Sequence, residues 1–341
     1  MKLSELGEFG LIERLQNRLE TRAGVSLGIG DDCAILHSLQ TPIVTIDALI
    51  EGVHFRRDWT TPRALGRKAM AVNISDLASS GARPVAAFVS LALGARDDVE
   101  FLDALYAGFE DAARAFDFTV AGGDTTQSRG DTMLSIALVG EVLDPKRGPV
   151  LRSGARIGDV LLASGSLGDA AAGLKILQSN PEEIASIPAK ARDYLLQRHH
   201  EPAPRLELMQ QLLEFDANSI HAALDLSDGL TGDAAHLARM SNITAQFDAE
   251  KLPISDFCRE AARVLGFDAL DLALSGGEDY ELLIAVAPEK AEDLVNRFRD
   301  ENVPLTAIGE CAPPETNSFS RRVVVREQGR IREIARAWTH F

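Results

Sequence analysis

Acidic residues stand directly beside glycines or other small residues in four separate stretches of this 341-residue chain. The stretches cover residues 28–34, 121–126, 225–229 and 275–279. A plain surface turn would explain any one of them, because Gly and Asp are the commonest turn residues. Four such stretches need a common explanation. Glycines let the backbone approach a ligand closely, so these stretches suit loops that wrap around an ion or a phosphate.

The acids of these stretches, together with two acids on neighbouring predicted elements, form one candidate set. Its members are Asp31, Asp32, Asp47, Asp76, Asp124, Asp225, Asp228, Glu278 and Asp279. If these carboxylates share one cleft, their repulsion costs several kcal/mol unless divalent cations intervene. Oxygen ligands without His or Cys favour Mg²⁺ over zinc. Calcium is the competing ion, but the chain has neither an EF-hand loop nor a Gly-Asp nonapeptide repeat.

Magnesium held by few carboxylates completes its coordination with water and substrate phosphates, which indicates phosphoryl transfer. Two common nucleotide patterns are absent from the sequence. There is no His-Arg-Asp or Asp-Phe-Gly motif of a protein kinase. The segment from Gly168 to Lys175 misses the Walker spacing and lacks its hydroxyl, so we expect a strand, a glycine turn and a helix there.

The predicted strands and helices indicate where several of these acids lie in the fold. Asp47 ends a strand over residues 42–48, and Asp76 lies on a helix that begins at Thr61-Pro62 and runs to about Ser79. A strand over 118–121 leads into the Gly122-Gly123 turn before Asp124, and we expect residues 132–142 to be its hairpin neighbour. A strand over 222–226 carries Asp225 at its end, and a helix over 230–241 follows.

Length and composition indicate two folded domains. The stretch 144–149 is the best linker, so we predict domains 1–146 and 147–341. The net charge of −16 excludes direct binding to nucleic acid or to an anionic membrane surface. Three widely spaced cysteines fit a reducing compartment, by default the cytoplasm. We expect no signal peptide and no membrane segment, because the longest apolar run is shorter than the ~20 residues that span a bilayer.

The motifs together resemble the thiamine-monophosphate kinase family of the aminoimidazole ribonucleotide synthetase superfamily, from about residue 7 to residue 341. The similar stretches are 28–34, 71–78, 122–126, 225–230 and 275–282. The resemblance implies an α/β fold of two domains, with a mixed sheet and helices in the N-terminal domain and an α/β C-terminal domain. It also implies a homodimer that shares a sheet between N-terminal domains, with nucleotide bound between domain surfaces.

The resemblance further implies ATP as co-substrate and several Mg²⁺ ions. Its magnesium ligands fall on Asp32, Thr45, the main chain of Ile46, Asp47, Asp76, Asp124, Asp225 and Asp228. Its ATP contacts fall on Tyr106, Gly123, Asp124, Arg152 and Ser227. Its contacts with thiamine monophosphate fall on His54, Glu278 and Trp338, since an aromatic ring can stack on a cationic ring.

The implied reaction passes the γ-phosphoryl group of ATP directly to thiamine monophosphate. The acceptor phosphate is already an oxyanion near neutral pH, so no side chain is assigned as a general base. Two alternatives stay open at this point. One is another ATP-dependent enzyme of the superfamily, such as a selenophosphate or aminoimidazole ribonucleotide synthetase. The other is a non-catalytic sensor of magnesium and nucleotide, which would bind ATP without releasing ADP.

Overall fold

The computed structural model describes residues 3–29, 33–94, 96–299, 303–314 and 322–332. The chain forms two compact units. The N-terminal unit comprises Met1–Leu77 and Ala82–Pro149, and the C-terminal unit comprises Ala78–Gly81 and Val150–Phe341. The domain bounds 1–146 and 147–341 stay a prediction.

The N-terminal unit contains three helices and six strands among its described residues. In chain order these are α1 (Leu3–Arg18), β1 (Val25–Leu27), β2 (Ile35–Leu36), β3 (Pro42–Ile50), α2 (Pro62–Ser79), β4 (Ala82–Leu93), α3 (Val99–Ala115), β5 (Thr119–Gln127) and β6 (Met133–Val142). β1 and β2 form a small antiparallel pair, and the other strands form a sheet in the order β3-β6-β4-β5. Only the β4–β5 pairing in that sheet is parallel, so the sheet is mixed, as predicted.

Capping residues set the start of α2 and of α3. The main-chain N–H of Ala64 donates to the Thr61 hydroxyl at 3.2 Å, and Pro62 follows the cap as the first helical residue. The prediction of a helix from Thr61-Pro62 to Ser79 is therefore confirmed. At α3 the N–H of Phe101 donates to the Asp98 carboxylate at 2.8 Å, so Asp98 is the cap.

The structure corrects two predictions about the strands. Residues 122–126 are not a turn, because β5 continues through them to Gln127 in parallel pairing with β4. The strand over 132–142 is not the hairpin neighbour of β5. It is β6, which lies between β3 and β4 and pairs antiparallel with both. Short-range patterns predict a strand but not its partner, and here long-range pairing decides the order.

The C-terminal unit is built around a seven-stranded sheet. Its elements are β7 (Val160–Ser164), α4 (Asp169–Gln178), α5 (Pro181–Ser186), α6 (Ala189–His200), α7 (Leu206–Asp216), β8 (Ile220–Leu226), α8 (Leu230–Ser241), β9 (Thr244–Asp248), α9 (Asp256–Leu265), α10 (Ala269–Ser275), β10 (Glu281–Val286), α11 (Pro288–Arg297), β11 (Leu305–Ala312), β12 (Val323–Glu327) and β13 (Arg330–Ile331). The sheet order is β13-β12-β9-β11-β7-β10-β8, and β9–β12 is its parallel pair.

Helices cover both faces of this sheet. Alternate residues of β10 point to opposite faces. Leu283 packs in one buried cluster with Leu237 of α8, whereas Leu282 packs in another with Leu212 of α7 and Leu294 of α11. The unit is a two-sided α/β layer structure, as the sequence predicted. No helix in the described part of the chain has both the length and the apolar character needed to cross a bilayer.

Candidate active site

In the N-terminal unit, three predicted magnesium ligands lie on the face of the sheet that α2 covers. The Thr45 hydroxyl of β3 donates a hydrogen bond to the Asp76 carboxylate of α2. Asp47 is two residues beyond Thr45 on the same strand, so strand alternation places both on one face. This face therefore presents a hydroxyl and two carboxylates from two neighbouring elements, all of them oxygen donors.

Another predicted ligand, Asp124, lies on the opposite face of the same sheet. The Ile46 side chain also lies on that face and the residue is 67% exposed, but its predicted ligand is the main chain, which belongs to neither face. Asp124 pairs in register with Ser90, and its neighbour Thr125 points instead to the helices, where it is hydrogen-bonded to Tyr106. The sheet itself thus separates Asp124 from the carboxylates near α2.

Gly123 occupies a position in β5 that no other residue can fill without a shift of the backbone. Its φ is +153°, and a Cβ there would lie 1.9 Å from the carbonyl oxygen of Val89 on β4. A glycine is required because the two strands approach so closely. The same close approach fixes Asp124, the next residue, against the sheet.

Tyr106, a predicted ATP contact, lies in the core. It is 4% exposed, its ring meets Phe109 edge-on at 5.0 Å, and burial raises the pKa of its hydroxyl above the ordinary value. These contacts give Tyr106 a packing role behind β5. Its contact with ATP stays a prediction.

His54, a predicted substrate contact, lies on the loop after β3. The main-chain N–H of Ile50 donates to its Nδ1 at 3.1 Å. Arg57 secures the end of this loop, because its guanidinium donates to Glu51 at 3.0 Å and to Asp97 and Thr132. The loop that carries His54 is therefore held against the strand it follows.

In the C-terminal unit, two glycine loops named by the sequence pattern lie against each other. Residues 227–229 follow β8, and residues 276–280 precede β10. The N–H of Glu278 donates to the Ser227 carbonyl at 2.7 Å, and the N–H of Tyr280 donates to the Leu226 carbonyl at 2.9 Å. Gly229 has φ +100°, and a Cβ there would lie 2.8 Å from the carbonyl carbon of Ser275. The structure thus brings Asp225, Ser227, Asp228 and Glu278 to one end of the sheet.

Asp233 holds the first of these loops. Its carboxylate accepts the main-chain N–H groups of Ser227 and Asp228, each at 2.9 Å. Burial, the largest effect, raises the pKa of Asp233 to about 7, although these N–H groups and Arg152 favour the ionised form. The sequence analysis missed Asp233. An acid in the first turn of a predicted helix, directly after a glycine loop, was the signal that pointed to it.

Asp279 holds the second loop. Its carboxyl accepts the N–H of Gly168 at 2.7 Å and the N–H of Ala170 at 3.2 Å, both at the start of α4. Burial raises the pKa of Asp279 to about 8, whereas the Gly168 N–H and the Arg198 guanidinium lower it. Asp279 was a candidate metal ligand in the sequence, but in the structure its oxygens bind the start of a helix.

Glu278 is held in an unusual backbone conformation. Its φ is +69°, a value uncommon for a residue with a side chain, and Tyr280 has φ +50°. Its carboxylate lies 3.2 Å from Nδ1 of His199 on α6, at ion-pair distance. The sequence analysis left His199 and His200 unassigned. No sequence signal links either residue to Glu278, because they lie far apart in the chain.

Behind this loop, the fully buried Glu281 is the centre of an ion-pair cluster. Arg198 donates to it at 2.8 Å, Arg205 at 2.6 Å and the Ser164 hydroxyl at 2.6 Å. A buried carboxylate requires such partners, because it has lost its hydration. The cluster anchors the start of β10 directly after the loop.

Arg152, a predicted ATP contact, is exposed on the segment before β7. The Ser241 hydroxyl donates to its carbonyl at 2.8 Å. Burial raises the pKa of Asp233 and lowers that of His236; the charge of Arg152 opposes the first change and adds to the second, which puts the guanidinium near the start of α8. Arg152 therefore lies beside the loop that carries Ser227 and Asp228, where a guanidinium could meet a phosphate.

The predicted metal cluster is only partly assembled in the described part of the chain. There, no three His, Cys, Asp or Glu side chains lie close enough together to hold a metal ion by themselves. Asp32 and Trp338 lie outside the described residues. Carboxylates that lie singly or in pairs can still bind Mg²⁺ when phosphates and water complete its shell.

Comparisons with known proteins identify the family of both units. A model of the AIR synthase related protein, N-terminal domain, matches residues 30–142, and a model of the C-terminal domain of the same family matches residues 156–319. Thiamine-monophosphate kinase of Escherichia coli O157:H7 is 42% identical over 308 residues, which are 89% of this chain and 90% of the relative.

Two solved structures are similar over almost the whole chain. The crystal structure of thiamine-monophosphate kinase from Stenotrophomonas maltophilia K279a is 36% identical, has a TM-score of 0.78, and aligns with 94% of this chain and 96% of its own. The structure of AaThiL complexed with AMPPCP and TMP is 34% identical, has a TM-score of 0.75, and aligns with 100% of this chain and 99% of its own.

Proposed function

We infer the activity of this chain from its family: the chain belongs to the thiamine-monophosphate kinases among the AIR synthase related proteins, and it phosphorylates thiamine monophosphate to thiamine diphosphate with ATP. The observation that carries this conclusion is the match over the full length of the chain to a protein solved with AMPPCP and TMP. The reaction makes it a phosphotransferase of thiamine diphosphate biosynthesis.

The γ-phosphoryl group passes in line to the phosphate of thiamine monophosphate, without a phosphoenzyme. A phosphate monoester is largely dianionic at neutral pH, because its second pKa is about 6. The acceptor therefore needs no general base. The difficulty of the step is the repulsion between two anions, and the protein's task is to position them and neutralise their charge.

The residues of the site would hold several Mg²⁺ ions. The donor set fits the ion, since it offers carboxylates, a hydroxyl and main-chain carbonyls but neither thiolate nor imidazole. In the N-terminal unit the ligands are Asp32, Thr45, the main chain of Ile46, Asp47, Asp76 and Asp124, and in the C-terminal unit they are Asp225 and Asp228. Bound magnesium supplies positive charge to the phosphates. The hydrogen bond from Thr45 to Asp76 orients one carboxylate before any ion binds.

We assign each of the remaining site residues to one of the two substrates. ATP is bound by Tyr106, Gly123, Asp124, Arg152 and Ser227. Thiamine monophosphate is bound by His54, Glu278 and Trp338. The contact of the Glu278 loop with the Ser227 carbonyl supports this assignment, because it brings a predicted substrate residue and a predicted ATP residue together within one unit.

The protein acts as a homodimer in the cytoplasm. The support for a dimer is an apolar surface on the four-stranded sheet, on the face away from α2 and α3. Val44 and Ile46 are each 67% exposed there, and Met133 is 37% exposed. Large exposed apolar patches are typical of protein interfaces. ATP as co-substrate and three free cysteines support the cytoplasm.

A coupled assay of ADP formation tests the activity. The protein is expected to release ADP only when thiamine monophosphate and Mg²⁺ are both present, and chelation of the metal should stop turnover. ADP release with selenide or with the aminoimidazole precursor, but not with thiamine monophosphate, would identify another enzyme of the superfamily. ATP binding without ADP release would identify a sensor.

Asp47 provides the matching test of the site. Asp47→Ala is expected to lower kcat by about a hundredfold, because it removes a group that neutralises phosphate charge. Asp293→Ala, on the exposed surface of α11, is the control and should leave kcat unchanged. Near-normal turnover of Asp47→Ala would refute the assignment. Isolation of a radiolabelled phosphoprotein after reaction with labelled ATP would refute direct transfer.

A further inference from the structure

We propose that His199 is a positioning residue for substrate binding, which holds the Glu278 carboxylate in the direction that meets thiamine monophosphate. This inference rests on the proposed function, since it assigns a partner to a residue of the proposed substrate site. The two residues come from different elements, α6 and the loop before β10, and their contact exists only in the folded unit.

The exposures of the two side chains indicate which of them meets the ligand. The His199 side chain is 8% exposed, and that of Glu278 is 26% exposed. The imidazole therefore lies on the interior side of the carboxylate, 3.2 Å from its Oε2, and the Glu278 side chain keeps part of its surface in contact with solvent. Because the imidazole contacts the carboxylate from the protein interior, a ligand can approach the carboxylate from the solvent side.

The position of His199 in its own helix is also tightly fixed. α6 packs closely on α4 at Gly173, where an added Cβ would lie 2.9 Å from Cβ of His199 and 2.2 Å from the Leu195 carbonyl oxygen. The His200 ring meets the His199 ring edge-on at 5.4 Å. The helix pair therefore fixes Cβ of His199, and the buried ring packed against His200 is a support for Glu278.

The backbone of Glu278 explains why a support is needed. A residue at φ +69° is strained, and loops hold such conformations only when their surroundings determine them. The main-chain bond from Glu278 to Ser227 and the carboxyl of Asp279 fix the backbone on either side. They do not fix the direction of the Glu278 side chain. The contact with His199 does restrain that direction.

A pair of variants of equal shape tests the proposal. His199→Leu removes the polar nitrogen, and His199→Asn restores a polar side-chain nitrogen in nearly the same volume as leucine. His199→Leu is expected to raise KM for thiamine monophosphate about tenfold or more, as for the loss of a charged contact. KM for ATP should stay within about twofold of wild type, and His199→Asn should recover most of the loss.

A double-mutant cycle with Glu278→Gln separates positioning from general packing. If His199 acts through Glu278, then His199→Leu has little further effect on KM once Glu278 is changed. Additive losses, equal losses in both KM values, or a His199→Asn variant as impaired as His199→Leu would each overturn the proposal. His200→Asn is the control at the adjacent position and should keep the KM of wild type.

The failure of this proposal can be distinguished from failure of the proposed function. If wild-type protein does not phosphorylate thiamine monophosphate, then the proposed function is wrong and His199 has no substrate to position. If wild type is active and His199→Leu keeps its KM, then only the role of His199 is wrong. Thermal melting of each variant, measured in parallel, identifies any loss of activity that comes from unfolding.

Discussion

At the scale of single residues, buried carboxylates in the C-terminal unit fix main-chain geometry. Asp233 and Asp279 each accept hydrogen bonds from two main-chain N–H groups. Each thereby stabilises a loop that carries proposed site residues. Buried N–H groups without an acceptor are costly, so these carboxyls stabilise the fold as well as the loops. Site geometry and stability are thus linked through the same side chains.

Asp279→Ala should destabilise the protein by about 2 kcal/mol or more, because it leaves the N–H groups of Gly168 and Ala170 without their acceptor. The free energy of unfolding in urea, measured at pH 5, checks this value. Asp293→Ala on the surface of α11 is the matched control. An Asp279→Ala variant as stable as the control would show that other groups satisfy these donors.

Asp279→Asn should reveal the effect of burial on ionisation. The pKa of Asp279 is about 8 in the folded protein, against about 4 in an unfolded chain. The unfolded chain therefore loses this proton first as pH rises, and wild type loses stability between about pH 4 and pH 8, by at most about 1.4 kcal/mol per pH unit. Asparagine cannot ionise, so the Asp279→Asn variant does not lose stability in this way.

The measurement is the difference in free energy of unfolding between wild type and Asp279→Asn at several pH values. Wild type should lose stability relative to the variant as the pH rises through that window. Groups other than Asp279 titrate in both proteins and cancel in the difference. A difference that moves in the opposite direction would mean that Asp279 is ionised in the folded protein and stabilised by its donors.

At the scale of elements, the Gly122-Gly123 pair has the sequence of a turn but lies within the paired strand β5. β4 and β5 approach so closely at Gly123 that a side chain would overlap the Val89 carbonyl. The strand can continue only because this position is glycine. Asp124 is therefore carried by a paired strand, which is more rigid than the free loop that the sequence predicted.

Gly123→Ala should prevent normal folding or cost about 3 kcal/mol or more, because strain and overlap coincide at this position. Gly130→Ala is the control, since a Cβ at Gly130 meets no atom within 4 Å. Urea denaturation of both variants measures the effect. Equal midpoints for the two variants would show that β5 can move away from β4 at little cost.

At the scale of the whole molecule, the proposed dimer depends on the four-stranded sheet of the N-terminal unit. Helices α2 and α3 pack on one face of this sheet, and their close crossing places Gly66 against Gly108. The other face presents exposed apolar side chains of β3 and β6. Burial of such a face against a second copy would remove apolar surface from water.

Val44→Lys should convert the proposed dimer to a monomer, since it places a charge within the apolar face. Sedimentation velocity measures the mass in solution. Ile331→Lys is the matched control, because Ile331 is 68% exposed and Val44 is 67% exposed, each on a strand. A Val44→Lys protein with the same mass as wild type would place any dimer contact on a different surface.

The sequence by itself determined the features that depend on local chemistry. The Thr61-Pro62 cap defined α2, and glycine turns marked the loops at 165–168 and 227–229. The residues of the acidic motifs resemble those of the family, and the comparisons confirm that resemblance. Caps, turns and short motifs are encoded within a few residues, so they can be interpreted without knowledge of the fold.

The tertiary structure alone decided which distant residues meet. In the structure β6 lies between β3 and β4, and β5 continues through the Gly122-Gly123 pair. His199 contacts Glu278. Asp124 lies on the face of the sheet opposite Thr45. These outcomes depend on strand order, register and helix packing, which join segments far apart in the chain. Their energies come from contacts that no local pattern records.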